Sequence, residues 1–182
     1  MIGYTVFESP LGWLLVAESS AGVALIDFMG PAQPSEGEII TTVLREYPGE
    51  ALRPASTTDL SGKARRHILE YFENRTPLPS IPVDIRKGTA FDQRVWRAIA
   101  AIPFGRTFSY RQIAEAAGSP GAFRAAGRAC GRNPIPLLIP CHRVVGSSGN
   151  LGGYSGGLHI KKFLLALEGA DLITDSISRG FS

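Results

Sequence analysis

Cysteine is scarce in this 182-residue chain: Cys130 and Cys141 are the only two, and none precedes residue 130. That excludes a disulfide-stapled scaffold. With only His67, His142 and His159 to add, and no spaced ligand pattern, a structural zinc site is not expected. Long apolar runs are absent too, as is an opening segment of basic, apolar and small residues. The expectation is a soluble intracellular protein with no membrane partner, in a compartment where Cys130 and Cys141 stay reduced. Cys141 is then a free thiol, and its neighbours must decide whether it is inert or reactive.

Acidic residues are scarce in one half only. Residues 1–85 carry 6 basic against 11 acidic side chains, net −5; residues 86–182 carry 13 against 5, net +8. Between Arg86 and Arg132 the only acids are Asp92 and Glu115. A basic half of this kind suits a polyanion, although charge alone fits a solvated basic face as well. The overall composition, 44% hydrophobic and 19% charged, is that of a globular protein whose core needs no staples.

Ile2–Glu8, Trp13–Ala17 and Val23–Phe28 alternate apolar and polar residues and read as three strands, with turns at Pro10-Leu11-Gly12 and Ser20-Ala21-Gly22. Ile39, Val43, Leu44 and Tyr47 have helical spacing up to Pro48-Gly49. A second helix is expected over Leu60–Glu73, with Ala64, Ile68, Leu69 and Phe72 inward. Pro77, Pro79 and Pro82 then mark a stiff crossing. This first half reads as a small α/β unit with nothing catalytic in it.

The character changes near Lys87-Gly88-Thr89. Phe91, Val95, Ile99 and Ile102 form the stripe of a helix that stops at Pro103. Ser109-Tyr110-Arg111-Gln112 is a capping box opening a short helix to Ala117, and after Ser119-Pro120-Gly121 another runs from about Ala122 to Arg132. Two short helices across a Gly-containing turn suggest a helix-turn-helix. On the second, Arg124, Arg128 and Arg132 recur every fourth residue and line one side, among the small residues Ala125, Ala126, Gly127 and Ala129. Such a helix can approach a DNA backbone closely. By itself the pattern also suits an Ala-rich helix packed on the core; the upstream helix and the charge asymmetry favour DNA.

After Asn133-Pro134, the apolar, proline-stiffened run Ile135-Pro136-Leu137-Leu138-Ile139-Pro140 delivers Cys141-His142-Arg143-Val144-Val145. Read as extended chain, it turns Cys141 and His142 to opposite faces, so a proton passing between them needs a bridging water. A lone cysteine is more often buried and inert than nucleophilic. Gly152-Gly153-Tyr154-Ser155-Gly156-Gly157 reads as a flexible loop able to wrap a planar ligand, though most such runs are only loops. The last helix, about Leu158–Glu168, ends at Gly169. Glu168 sits at the helix end that disfavours a carboxylate, and a histidine partner would compensate it.

The run from Arg124 through Asn133 to Pro140-Cys141-His142-Arg143-Val144-Val145, followed by Gly153-Tyr154-Ser155-Gly156-Gly157 and Leu164-Leu165-Ala166-Leu167-Glu168-Gly169, resembles the signature of the O6-alkylguanine-DNA alkyltransferases. The likeness is close from about Thr89 to Gly169 and loose before it. It implies a ribonuclease-H-like α/β lobe over residues 1–86, a helical winged helix-turn-helix lobe over 87–170, and a polar tail over 171–182. It implies stoichiometric transfer of an alkyl group from O6-alkylguanine, and from O4-alkylthymine, in duplex DNA to Cys141, with no cofactor and no metal. His142, through a water, and Glu168, through His142, would activate the sulfur. Asn133 would brace the turn, and Arg124 would fill the space of the flipped nucleotide. Tyr110 would touch the flipped base and its phosphate. Arg128, Arg132, Ala125 and Ala129 would complete a minor-groove contact, and the Val144 carbonyl, Gly152, Tyr154 and Ser155 the base pocket. A solution monomer is implied, with cooperative assembly on DNA open, in the cytoplasm or on a prokaryotic nucleoid.

Some relatives bind zinc in the N-terminal lobe through cysteines, which are missing here, and no fused methyl-phosphotriester-repair domain is expected. Cys130 receives no catalytic role. Three rivals stay open: a lesion-binding relative without transfer, whose acceptor cysteine is replaced; a helix-turn-helix regulator with an incidental cysteine; and a cysteine hydrolase that turns over.

Overall fold

A computed structural model describes residues 1–170, so the tail expected over 171–182 lies outside the described residues. The chain divides into two compact units, Met1–Ile85 and a second beginning at Arg86. Among the described residues no helix is long and apolar enough to cross a membrane.

In the first unit the alternating stretches become β1 (Ile2–Ser9), β2 (Gly12–Ser19) and β3 (Gly22–Gly30), paired antiparallel in sequence order. Leu14, Leu15, Val16 and Ala17 of β2 are all fully buried, although successive side chains point to opposite faces. Both faces of the sheet are therefore covered. On one, Leu15, Ala17 and Leu25 meet Ile39 and Val43 of α1 (Glu36–Glu46), which starts at a reciprocal cap between Ser35 and Glu38. On the other lies α2 (Leu60–Asn74), packed across β1, β2 and β3 through Ala64, Ile68 and Phe72.

Two features of this unit escaped the sequence reading. β4 (Leu52–Pro54) runs parallel to β1 and completes the order β3-β2-β1-β4. Three residues are too few to show a period-two pattern. The proline-rich crossing, in turn, is tied down: the Val23 N–H donates to the Pro82 carbonyl at 2.9 Å and the Asp84 N–H to the Val23 carbonyl at 2.7 Å. The result is a mixed α/β unit.

The second unit holds α3 (Ala90–Ala100), β5 (Phe108–Ser109), α4 (Tyr110–Ala116), α5 (Phe123–Gly131), β6 (Val144–Val145) and α6 (Leu158–Leu167). α3 is its scaffold. Thr89 and Asp92 cap its start reciprocally, and Val95, Trp96 and Ile99 are buried; each such side chain contributes about 1.5–3 kcal/mol by leaving water. Trp96 lies so close to Gly88 that a Cβ there would come within 2.3 Å of its ring. The Trp96 Nε1–H donates to the Ala129 carbonyl of α5 at 2.9 Å, and Arg94 Nε donates to the Ala117 carbonyl closing α4 at 3.0 Å. One helix thus fixes both members of the α4–α5 pair. β5 and β6 pair in parallel, Ser109 opposite Val145, which joins the start of α4 to the chain just past Cys141.

Candidate active site

The segment before Cys141 is not extended, as its sequence suggested. Leu137 adopts a left-handed conformation (φ 73°), the Ile139 N–H returns to the Ile135 carbonyl at 2.9 Å, and Cys141–Arg143 form a single 3-10 turn. Pro134, Pro136 and Pro140 lack the N–H groups that a strand ladder needs, so the chain coils instead. Asn133 spans the coil from inside: its Nδ2 donates to the Ile139 carbonyl at 2.8 Å, and its Oδ1 accepts the Ile135 N–H at 3.0 Å. The end of α5 and the start of the Cys141 turn are thereby fixed to one buried side chain.

Behind the turn lies a buried charge network. His142 is 1% exposed, and its Nε2 lies 2.9 Å from Glu168 Oε1. Arg143, which follows it, donates from Nε to Glu168 Oε2 and from Nη2 to Oε1, each at 2.9 Å. Its Nη1 reaches the Ile102 carbonyl beyond α3 at 2.7 Å, and the Gly105 N–H donates to Glu168 Oε2 at 3.1 Å. Burial raises the Glu168 carboxyl, but the bonds from His142 and Arg143 outweigh it and hold its pKa at about 2. Burial outweighs the carboxylate at His142 and pulls that pKa down, which leaves the ring neutral. An ionised Glu168 only accepts, so His142 Nε2 carries the hydrogen and Nδ1 the lone pair. Among the described residues that buried Nδ1 has no hydrogen-bond partner. The expected compensation of Glu168 by a histidine is present; Arg143 as its main counter-ion is an addition.

In front of the turn is a cavity of about 180 Å³ whose wall includes Tyr110, Gly127, Cys130, Cys141, Tyr154 and Ser155. Burial, then the neighbouring thiols of Cys130 and Cys141, push the Tyr110 phenol up to about 12, so it stays a proton donor. The Cys141 thiol is lowered: the Cys130 thiol, the Asn133 side chain and the Lys161 charge together outweigh its burial. Lys161 is fully buried on the inward side of α6 and donates to the Val144 carbonyl at 2.6 Å and to the Leu151 carbonyl. A lowered thiol on the wall of a cavity, with a proton-donating phenol opposite, can act as a nucleophile toward a ligand held there.

Several expected site residues sit elsewhere. Ala129 is fully buried, because the inward stripe of α5 is Ala126, Ala129 and Cys130; its side chain does not face outward with the arginines. Ala125 is half-buried. Arg124, Arg128 and Arg132 are all exposed; Arg124 lies over the Phe123 ring at 5.7 Å, and Arg132 pairs with Asp92 of α3. Val144 is buried in β6 with its carbonyl on Lys161, and Gly152 packs beside the hydroxyl of Tyr110, which is on the cavity wall. At Gly152, φ is +61° and a Cβ would come within 2.7 Å of that hydroxyl, so only glycine fits.

Three residues at the site lie beyond the sequence reading. Arg143 was findable: an arginine inside an apolar run needs a buried acid, and this half has few. Lys161 was findable as a lysine on the apolar stripe of Ile160, Leu164 and Leu165. Cys130, given no catalytic role, lies on the cavity wall, and helical phase places it beside Ala126 and Ala129.

Residues 90–170 match the family model described as "6-O-methylguanine DNA methyltransferase, DNA binding domain". Over 168 residues the chain is 54% identical to the methylated-DNA–protein-cysteine methyltransferase of Mycolicibacterium paratuberculosis, covering 92% of this chain and 93% of that one. The crystal structure of Mycobacterium tuberculosis O6-methylguanine methyltransferase superposes with a TM-score of 0.75 at 36% identity, covering 93% of each chain. A structure of Mycobacterium tuberculosis OGT in complex with DNA gives the same TM-score at 35% identity and 92% coverage of each.

Proposed function

This chain belongs to the methylated-DNA–protein-cysteine methyltransferase family, and from that premise we propose that Cys141 is the sulfur that receives the alkyl group. The protein repairs DNA by direct reversal, moving an alkyl group from the nucleic acid onto itself. The observation that carries the assignment to Cys141 is its place: a lowered thiol on the wall of a cavity, immediately before a neutral histidine held by an ionised Glu168.

The reaction follows from these groups. The thiol proton leaves toward the lone pair of His142 Nδ1, through a water, while the Glu168 carboxylate stabilises the imidazolium that forms. The thiolate attacks the alkyl carbon, a carbon–sulfur bond forms, and the carbon–O6 bond breaks with its electron pair passing to guanine. Tyr110, protonated to high pH, supplies the proton the departing base takes up and recovers it from the relay. The thioether has no comparable leaving group, so the molecule acts once.

The substrate reading is O6-alkylguanine in duplex DNA, and by the same chemistry O4-alkylthymine. The lesion's weakened pairing lowers the cost of turning it out of the stack. The exposed Arg124 at the start of α5 would fill the space it leaves, with Arg128 on the phosphates and α4–α5 acting as a helix-turn-helix laid in the minor groove. The finer fold reading, a ribonuclease-H-like first lobe and a winged second, is supported by the mixed sheet and by the short β5–β6 pair beside the helices.

Intact-protein mass after mixing with an O6-methylguanine duplex tests the assignment. One methyl is gained, mapped to Cys141 and absent in Cys141→Ala. No gain, with lesion binding retained, would make the protein a sensor; repeated turnover would make it a hydrolase.

A further inference from the structure

We propose that Cys130 is a positioning residue for the reaction: its thiol, on the inward face of α5, donates its hydrogen to the Cys141 sulfur and holds that sulfur as the nucleophile of the pair. The inference rests on Cys141 being the alkyl acceptor. Both sulfurs lie on the wall of the same cavity, Cys130 is 8% and Cys141 3% exposed, and Cys130 Sγ lies 4.0 Å from the Cys141 carbonyl oxygen.

Two buried thiols this close cannot both ionise, because the second charge faces the first in a medium of low polarity. The pair therefore carries at most one negative charge, which the ammonium of Lys161 favours. The donors decide which sulfur takes it. The Asn133 side chain and the Cys141 backbone N–H help to lower the Cys141 thiol, whereas the hydrogen bond with Cys141 and then burial push Cys130 well up. Cys130 thus keeps its proton; besides the Cys141 carbonyl oxygen, the acceptor within its reach is the Cys141 sulfur. It does not touch the alkyl group; it acts through the sulfur that does. Because Cys130 is the last inward residue of α5, the helix proposed to lie on DNA also presents a hydrogen-bond donor to the reacting atom.

The test is the pH dependence of two reactions in the full-length protein. One is single-turnover methyl transfer from an O6-methylguanine duplex; the other is alkylation of Cys141 by iodoacetamide, mapped by peptide mass. In Cys130→Ala the apparent pKa of Cys141 rises by about one unit, so both rates fall about tenfold on the acid side, with a high-pH plateau near that of the wild type. Cys130→Ser keeps a donor and stays near the wild-type profile. Cys130→Val fills the space without a donor, and it follows Cys130→Ala if the donor matters. Superimposable profiles for wild type and Cys130→Ala overturn the proposal, as does equal displacement of the Ser, Ala and Val variants, which would mean packing alone. If the wild type takes no methyl from the duplex, the acceptor reading fails instead, and the iodoacetamide profiles still decide whether the thiols are coupled.

Discussion

Replacing Glu168 by glutamine tests whether the centre behind Cys141 is an ion pair held out of water. The Glu168 side chain is 0% exposed and that of Arg143 9%. In Glu168→Gln the guanidinium loses the charge that compensates its burial. The new amide also turns an N–H₂ toward Arg143 or His142, where only an acceptor fits. Removing one member of such a pair costs about 3–5 kcal/mol. The effect carries a pH signature. The folded-state pKa of about 2 lies below the ordinary 4.5, so the stabilisation is present above pH 4.5 and is lost as pH falls through about 2. At 1.36 kcal/mol per unit, that is about 3 kcal/mol. His142 also gains a proton in acid, but in both proteins. Urea unfolding followed by circular dichroism at several pH values should show the gap between wild type and Glu168→Gln largest near neutrality and closing by about 3 kcal/mol toward pH 2. A gap that stays constant from pH 6 to 2 would refute an ionised Glu168.

Asn133→Ala removes the acceptor of the Ile135 N–H and the donor to the Ile139 carbonyl, both buried; a loss of about 2–4 kcal/mol is expected in urea, and a loss below about 1 kcal/mol would mean the prolines hold the turn unaided. Arg124→Ala should slow repair of a methylated duplex far more than reaction with free O6-methylguanine base, because its proposed work is on the helix and not on the sulfur. Equal losses on both substrates, measured by single-turnover mass shift, would remove it from the DNA contact.

What the sequence revealed, and what it hid, follows from the range of each signal. β1 to β3 and the four described helices of the second unit carry local patterns, alternation or a 3.6-residue stripe, with side-chain caps at the starts of α3 and α4, and could be read directly. β4 could not, because its pairing with β1 spans some fifty residues and leaves no trace in Leu52-Arg53-Pro54. The coil before Cys141 was misread because a run of apolar residues looks the same extended or turned, and only the missing N–H groups of its prolines argue for the turn. Cys141, His142, Glu168 and Asn133 were named from the motif they share with a family, whereas the partnership of Arg143 with Glu168 is a tertiary fact. Ala129 was misassigned by grouping all small residues of α5 together, when helical phase already separates the inward 126, 129 and 130 from the outward 124 and 128.

The bond from the Gly105 N–H to Glu168 joins positions 63 apart, and the His142 and Arg143 contacts with Glu168 span 26 and 25 residues. Loop closure of this kind waits for the distal partner to exist. During synthesis, Cys141 emerges before α6 has been made, with neither the Glu168 carboxylate nor the Lys161 ammonium yet present. The nascent thiol then lacks the Lys161 charge that helps to lower it, and His142 lacks the carboxylate that holds it. A chain stopped before Leu158 would carry the cysteine without the carboxylate and the ammonium that α6 places behind it.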